Sequence, residues 1–444
     1  MKFLKIKLLL LALVLSVCSL SAQSAREIID RDPNFAGSNM VGYIYKESPK
    51  TAAPKGYKPF YLSHYGRHGS RWMTQQKNYD MVLSCYDEAA AEDALTEFGK
   101  DAYRRIKIAC EQANGMAGQL SPKGVAEHHG IAERMVRNYP EIFSTKGGRE
   151  CRIECRSTLY PRCILSMAAN NERIKELNPE VQFVRATGSR YLDYMSTHKY
   201  LSMVRNYHDA ELKDARRRLF VDADRFALAL FKPEYAAKID KYVVMFTTFA
   251  LANSLQDVGV DVSLYDLYTP DEIYGIWRYD NTRHYMFLGN SQEYGDLVAA
   301  DASNLLRQII TDADDAIANG GRSGFFRFGH DVIIMPLICL LELEGRCPRM
   351  SINDTENLHK HWLDFNITSM AVNVQIVFYR NKQGDVLVKV LHNENEVRLP
   401  VKSDLAPYYR WEDFRRYYLD RIEKLEKLNA PEYLLKYASY KSVV

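Results

Sequence analysis

The sequence predicts an α/β fold: a three-layer α/β sandwich domain, built from two separated segments, with an inserted and mostly helical domain between them. Three observations predict it. Phe60, Tyr61 and Leu62 form a short apolar run of the kind that makes a buried strand, and Gly66 breaks the pattern into a loop. Far downstream, Phe325 to Leu337 repeats that form, passing from an apolar strand through Gly329 into a loop and then a strongly apolar helix. Between Val181 and about Ser303 the texture changes to long polar and aromatic helices with no strand–helix–strand rhythm. The expected sandwich therefore spans residues 23–180 and 304–444, and the expected helical insert spans 181–303.

Each element has its local reason. Arg26 to Gly56 mixes Asp, Pro, Asn, Gly and Ser without periodic apolar residues, so it reads as a surface approach to the first strand. A helical pattern runs through Met81, Val82 and Cys85, and another occupies roughly Ala91 to Met116. Ser121 is an N-cap and Pro122 a first helical residue for a helix reaching about Arg137, with His128 and His129 on a polar face. Glu150 to Glu154 reads as a strand, followed by a helix from about Pro161 to Leu177 with Arg162 in its first turn. Ala302 to Asn319 is a helix closed by Gly320 and Gly321, and Pro336 is tolerated near the start of the following one. Ala371 to Arg380 and Val386 to His392 form a hairpin around Asn381 to Gly384.

Composition narrows the function classes. Lys2, Lys5 and Lys7, an apolar core from Leu8 to Val17 and a small-residue exit at Ser19 to Ala22 read as an export signal over residues 1–22, with Cys18 as a weaker lipid-anchor site. The protein is thus expected to be exported, periplasmic or secreted. Removing that segment takes three lysines and no acid, so the formal charge falls from +3 to zero and no nucleic-acid-binding composition remains. No later run approaches the ~18 apolar residues of a transmembrane helix. Seven cysteines follow the leader, and Cys151–Cys155 and Cys339–Cys347 are near enough in sequence to be considered as pairs.

The chemistry concentrates in Lys58 to Trp72. Arg67, His68 and Arg71 bracket Gly69 at the carboxyl end of a strand, where open α/β sheets bind ligands. Two guanidinium forks and an imidazole call for a tetrahedral anion, and phosphate is the obvious one. His330 and Asp331 reach the same sheet edge if the two strands are neighbours. Arg162, in the first turn of its helix, stands where free amides favour an anion that a guanidinium can join, and Arg278, Arg283 and His284 are candidates for a cleft rim. The run Arg216-Arg217-Arg218 reads as a solvated face, and Asp222-Ala-Asp224 lacks the apolar strand of an aspartate phosphatase. His359 and His361 have no companions that would complete a metal site, so no metal or other cofactor is expected.

Together these segments resemble the histidine acid phosphatase family, and within it the multiple inositol polyphosphate phosphatase and phytase branch, over nearly the whole chain after the leader. Arg67-His68-Gly69-Ser70-Arg71 matches the family's Arg-His-Gly-x-Arg signature, Ser157 to Ser166 resembles its later Ser-x-x-x-x-Arg segment, and Phe328-Gly329-His330-Asp331 its His-Asp motif. The resemblance implies His68 as nucleophile, Arg67, Arg71, Arg162 and His330 as phosphate ligands, and Asp331 as the acid that protonates the leaving alkoxide. Two departures stand out. Trp72-Met73 replaces a proline that usually follows the second arginine, and His330-Asp331-Val332 stands where inositol polyphosphate phosphatases commonly carry His-Ala-Glu. The expected function is that of an exported phosphomonoesterase acting on small-molecule phosphate esters, inositol polyphosphates such as phytate among them. A broad-specificity acid phosphatase, a phosphoglycerate-mutase-like enzyme and an exported binding protein with an inactive pocket are the alternatives.

Overall fold

The computed structural model describes residues 24–196, 199–207 and 217–432, so the expected leader with Cys18, and Arg216 of the basic run, lie outside the described residues. Eight strands form one mixed sheet: β1 (Lys58–Arg67), β2 (Arg152–Ser157), β3 (Gln182–Thr187), β4 (Gly324–Gly329), β5 (Asn373–Arg380), β6 (Val386–His392), β7 (Asn395–Glu396) and β8 (Tyr408–Arg410). Their order is β3-β2-β4-β1-β5-β6-β7, with β8 paired to β6. β3, β2, β4 and β1 run parallel, and β5 and its successors run antiparallel. The neighbourhood expected from the two similar stretches is real: β1 pairs β4 with Arg67 opposite Gly329.

The sandwich has three layers because alternate strand residues point to opposite faces. Tyr61, Tyr65 and Phe325 pack under the helices Ser303–Asn319, Asp331–Leu340 and Trp411–Glu426. Leu62, Phe326 and Phe328 pack on the other face against Pro122–Asn138 and Pro161–Leu177. Several expected elements sit close to place. Ser121 caps its helix, accepting the Gly124 N–H at 3.2 Å, and the β5–β6 hairpin surrounds the expected turn. β1 does not stop at Gly66 but runs through it, paired there with Phe328 of β4 and Asn373 of β5, and the His64 ring covers the position, where a Cβ would lie 2.6 Å from it.

The helical part is assembled differently from the expected insert. β3 lies beyond residue 180 yet belongs to the sheet, and Tyr285 to Ala300 contribute to the core on one sheet face. A third apolar cluster joins Gln76–Ala91 and Glu97–Ala113 to Asp224–Leu230, Lys241–Leu255 and the first half of Pro270–Leu288. The apolar stripe Ala102, Ile106, Ala109 and Ala113 must be covered, but its period does not say by which segment. The stretch 26–56 holds a helix, Ala25–Arg31, with a capping box from Ser24 and Glu27, and a 3₁₀ segment, Pro33–Met40, that leads into the site. His128 is buried against Phe328 instead of lying on a polar face, while His129 beside it is half-exposed. All seven described cysteines are free thiols. Cys151 and Cys155 lie four residues apart along extended chain, about 13 Å, well beyond disulfide reach. Among the described residues no helix is long and apolar enough to cross a membrane.

Candidate active site

Three parallel strands end side by side, with β4 between β2 and β1, and the loops after them bring the charged residues together. Arg67 closes β1 and is almost fully buried. Its Nη1 donates to the carbonyls of Asn39, Thr368 and Ser369, and its Nη2 stands 3.1 Å from Asp331 Oδ2. His68 follows, anchored by its own N–H to the Gly329 carbonyl at 3.0 Å. Its Nδ1 lies 2.9 Å from the Gly69 carbonyl oxygen. A carbonyl only accepts, so Nδ1 carries the hydrogen and Nε2 keeps its lone pair. Burial, and then Arg67, Arg71, Arg162 and His330, push the His68 imidazole well below its ordinary value, which favours the neutral ring.

Gly69 is required by close approach. A Cβ there would lie 2.6 Å from the Gly124 carbonyl oxygen, in the first turn of the helix Pro122–Asn138. The Gly69 N–H donates to Ser166 Oγ on the neighbouring helix Pro161–Leu177. Arg71 donates to the Trp72 carbonyl, and burial with its neighbours Arg67 and Arg162 pushes it down to about 10. Arg162 lies in the first turn of Pro161–Leu177 over the Tyr160 ring, with its Nε unpartnered, and burial lowers it too. Three guanidiniums gathered beside one imidazole repel one another, and a polyanion relieves that repulsion.

His330 follows β4. Its N–H donates to the Tyr65 hydroxyl at 3.2 Å, and its Nε2 is 3.1 Å from Thr158 Oγ1. Its ring meets that of His68 edge-on at 5.6 Å between centroids. Asp331 begins the next helix, where Asn39 Nδ2 donates to its Oδ2 at 2.6 Å and the Val332 N–H donates to its Oδ1 at 3.0 Å. The role that the resemblance implies for Asp331 needs a carboxyl that is protonated beside bound phosphate. Burial does push Asp331 up, but Arg67, His330, His284 and Arg71 outweigh it and hold the group well below the usual carboxylate range. A proton can reside there only when an anion among the same cations offsets their pull.

A cavity of about 720 Å³ adjoins this cluster, within the usual size of a small-molecule site. Asn39 lines it while touching both Arg67 and Asp331, and Arg71 lines it directly. Of the expected rim residues, Arg283 and His284 line the cavity and Arg278 does not. Arg278 donates instead to the Thr355 carbonyl and pairs with Glu356, since five helical residues turn it about 140° away from Arg283. Arg217 was expected on a solvated face, yet it lines the cavity, stacked over Phe246 and Tyr279.

Some participants carry no sequence signal. Asn39 belongs to no motif, and Thr158 and Ser166 lie within the Ser157-to-Ser166 segment at positions to which the sequence assigned no role. Ser38 holds a left-handed φ of 59°, strained for a non-glycine residue, and is fixed by hydrogen bonds to Asp364 and to His284 Nδ1. Among the described residues no group of His, Cys, Asp and Glu is arranged to hold a metal ion.

No family model matches the chain, and no curated protein sequence matches it. Solved structures do. The multiple inositol polyphosphate phosphatase of Bifidobacterium longum in complex with phosphate is 18% identical, with 87% of this chain and 98% of that chain covered at a TM-score of 0.72. The same protein in complex with inositol hexasulfate is 19% identical, over 85% and 96% of the two chains, at 0.71. The phytase from D. castellii is 13% identical over 88% and 85%, at 0.64. The chain therefore has the histidine acid phosphatase fold that these inositol polyphosphate phosphatases and phytases share.

Proposed function

We propose that the protein is an exported phosphomonoesterase that hydrolyses inositol polyphosphates such as phytate through a phosphohistidine. The observation that carries this reading is the His68 imidazole, buried, neutral, and held by the Gly69 carbonyl with Nε2 available amid Arg67, Arg71, Arg162 and His330. The Nε2 lone pair attacks phosphorus, the bond from phosphorus to the ester oxygen breaks in line, and the cations bind the remaining oxygens. Asp331, protonated in company with the phosphate, gives its proton to the departing oxygen. Water then attacks phosphorus, giving a proton to Asp331 as its oxygen bonds to phosphorus, and the N–P bond breaks to free His68 and inorganic phosphate. Export rests on residues 1–22 of the sequence, and phytate on Arg71, Arg217, Arg283 and His284 along one cavity and on the fold's similarity to proteins named for such substrates.

A second reading, a broad-specificity acid phosphatase, is favoured by the apolar part of the cavity wall, where Val243, Phe246, Phe249, Ile276 and Phe287 suit an organic leaving group. One experiment separates these readings and tests the first. Purified protein is assayed on inositol hexakisphosphate and glucose 1-phosphate at two ionic strengths, and enzyme quenched in alkaline detergent, where a phosphohistidine survives, is analysed for covalent phosphate. The expected result is a higher kcat/KM on the hexakisphosphate that falls with salt, and a phosphoenzyme absent from His68→Ala. Equal or better use of the sugar phosphate removes the polyphosphate assignment, and activity retained by His68→Ala removes the nucleophile.

A further inference from the structure

Ser70, between Gly69 and Arg71, is fully buried, and its hydroxyl lies between two carboxyl groups. Its Oγ is 2.8 Å from Glu127 Oε1 and 2.9 Å from Asp257 Oδ1. A hydroxyl has one hydrogen and satisfies one of these oxygens. The second contact is a hydrogen bond only if one carboxyl carries a proton and donates it to Oγ. The surroundings decide which. Glu127 accepts the backbone N–H groups of Ser70 at 2.7 Å and Tyr43 at 2.8 Å, and those donors cannot reverse. Asp257 is fully buried, its Oδ2 has no partner, and among the described residues no backbone N–H donates to it. Lys123 Nζ stands 3.5 Å from its Oδ1, engaged with the Gln256 carbonyl. The negative charge belongs on Glu127 and the proton on Asp257.

The charged and titratable neighbours agree. Lys123 and Glu127 face Asp257 from the helix Pro122–Asn138, Arg71 from the loop, and Tyr265 from the turn Tyr265–Leu267. Burial pushes the carboxyl up to about 7; Glu127 adds to this, while Lys123, the Ser70 hydroxyl and Arg71 offset part of it. Ser70 is also held through its carbonyl, which accepts from both the N–H and the hydroxyl of Ser121. The loop that carries His68 and Arg71 is thereby tied to the helix cap on one side and to the helical layer on the other.

We propose that Asp257 is a positioning residue: as the neutral acid it donates to Ser70 Oγ and clamps the Arg67-to-Arg71 loop, and its ionisation at higher pH releases the clamp and closes the alkaline side of the activity profile. On ionisation two carboxylates would face one hydroxyl, and one of them would lose its donor. The inference rests on the phosphatase reading of the site, and its test separates the two.

Asp257→Asn keeps a donor toward Ser70 and cannot ionise. A carboxyl raised in the folded state stabilises fully below its unfolded value and loses that contribution as pH rises through its folded value. The variant should therefore gain Tm on wild type between about pH 4 and 7 and hold a level difference above that. This measurement needs no activity. In kcat/KM on an aryl phosphate, the alkaline limb of wild type should move up by about one pH unit or more in the variant, about tenfold in rate at a pH beyond the limb. Should neither protein hydrolyse any ester, the phosphatase reading fails, and the pH dependence of inorganic phosphate affinity, expected to persist to higher pH in the variant, takes the place of the limb. A Tm difference that does not change with pH, or a limb or phosphate affinity with unchanged pH dependence, overturns the proposal.

Discussion

At the scale of single residues, one hydrogen bond from His68 Nδ1 to the Gly69 carbonyl decides which ring nitrogen is free, and burial favours the neutral ring. Asp331 is the complementary case. Its donors, Asn39, Arg67 and the Val332 N–H, all favour the carboxylate, so its proton depends on what the site binds. Asp331→Asn should slow hydrolysis of alkyl phosphates by about 10²–10⁴-fold and of aryl phosphates far less, because a phenolate leaves with little help. Steady-state kcat on a matched alkyl and aryl pair measures this, and equal losses would remove Asp331 from the role of acid. These charged residues were legible because they cluster within short motifs. Asn39 and Asp257 were not, since each acts through contacts with residues distant in sequence.

At the scale of elements, the site depends on how closely the loop after β1 approaches the helix Pro122–Asn138. Gly69 and Gly124 meet backbone to backbone: a Cβ on Gly124 would come within 2.3 Å of the Ser70 carbonyl oxygen, as one on Gly69 would crowd Gly124. Neither obstacle is a flexible side chain, so relief requires moving the loop. Gly69→Ala should cost about 1–3 kcal/mol of stability by overpacking and lower kcat/KM more than it raises KM for aryl phosphates. Urea denaturation with parallel kinetics tests it, and an unchanged midpoint with full activity would show that the approach is not needed. Ser121 serves this junction twice, as cap of the helix and as donor to the Ser70 carbonyl. Its capping role was visible in Ser121-Pro122, while its contact with the loop depends on the fold.

At the scale of the whole molecule, acid works against stability. His64 and His128 are buried between sheet and helices with all four ring nitrogens unpartnered, and burial lowers each to about 3. Their folded values lie below the ordinary histidine value, so the unfolded chain takes up protons first as pH falls. Stability present above about pH 6.5 is lost on descent toward pH 3, at most about 1.4 kcal/mol per pH unit for each ring. His128→Met, apolar and of similar bulk, should therefore gain Tm relative to wild type as pH falls through that range. Melting curves at a series of pH values check this, and a difference independent of pH would mean that His128 does not titrate on unfolding.

Sequence alone determined the α/β class, the two strand–loop–helix units, the tail hairpin and the identity of the charged cluster, because each rests on local periodicity or on residues within a few positions of one another. It also named three candidates for the cleft rim without their directions: Arg283 and Arg278 share a helix, and only helical rotation against the neighbouring segments assigns one to the cavity and the other to Glu356. Tertiary structure alone decided that the helical layer draws on residues 76–113 as well as 221–277, that β3 joins the sheet, and that Asn39 and Asp257 reach the loop. The physical reason is common to these cases. An apolar stripe or a polar side chain encodes a need to be covered or paired, whereas the partner that satisfies it is chosen by the packing of the whole chain.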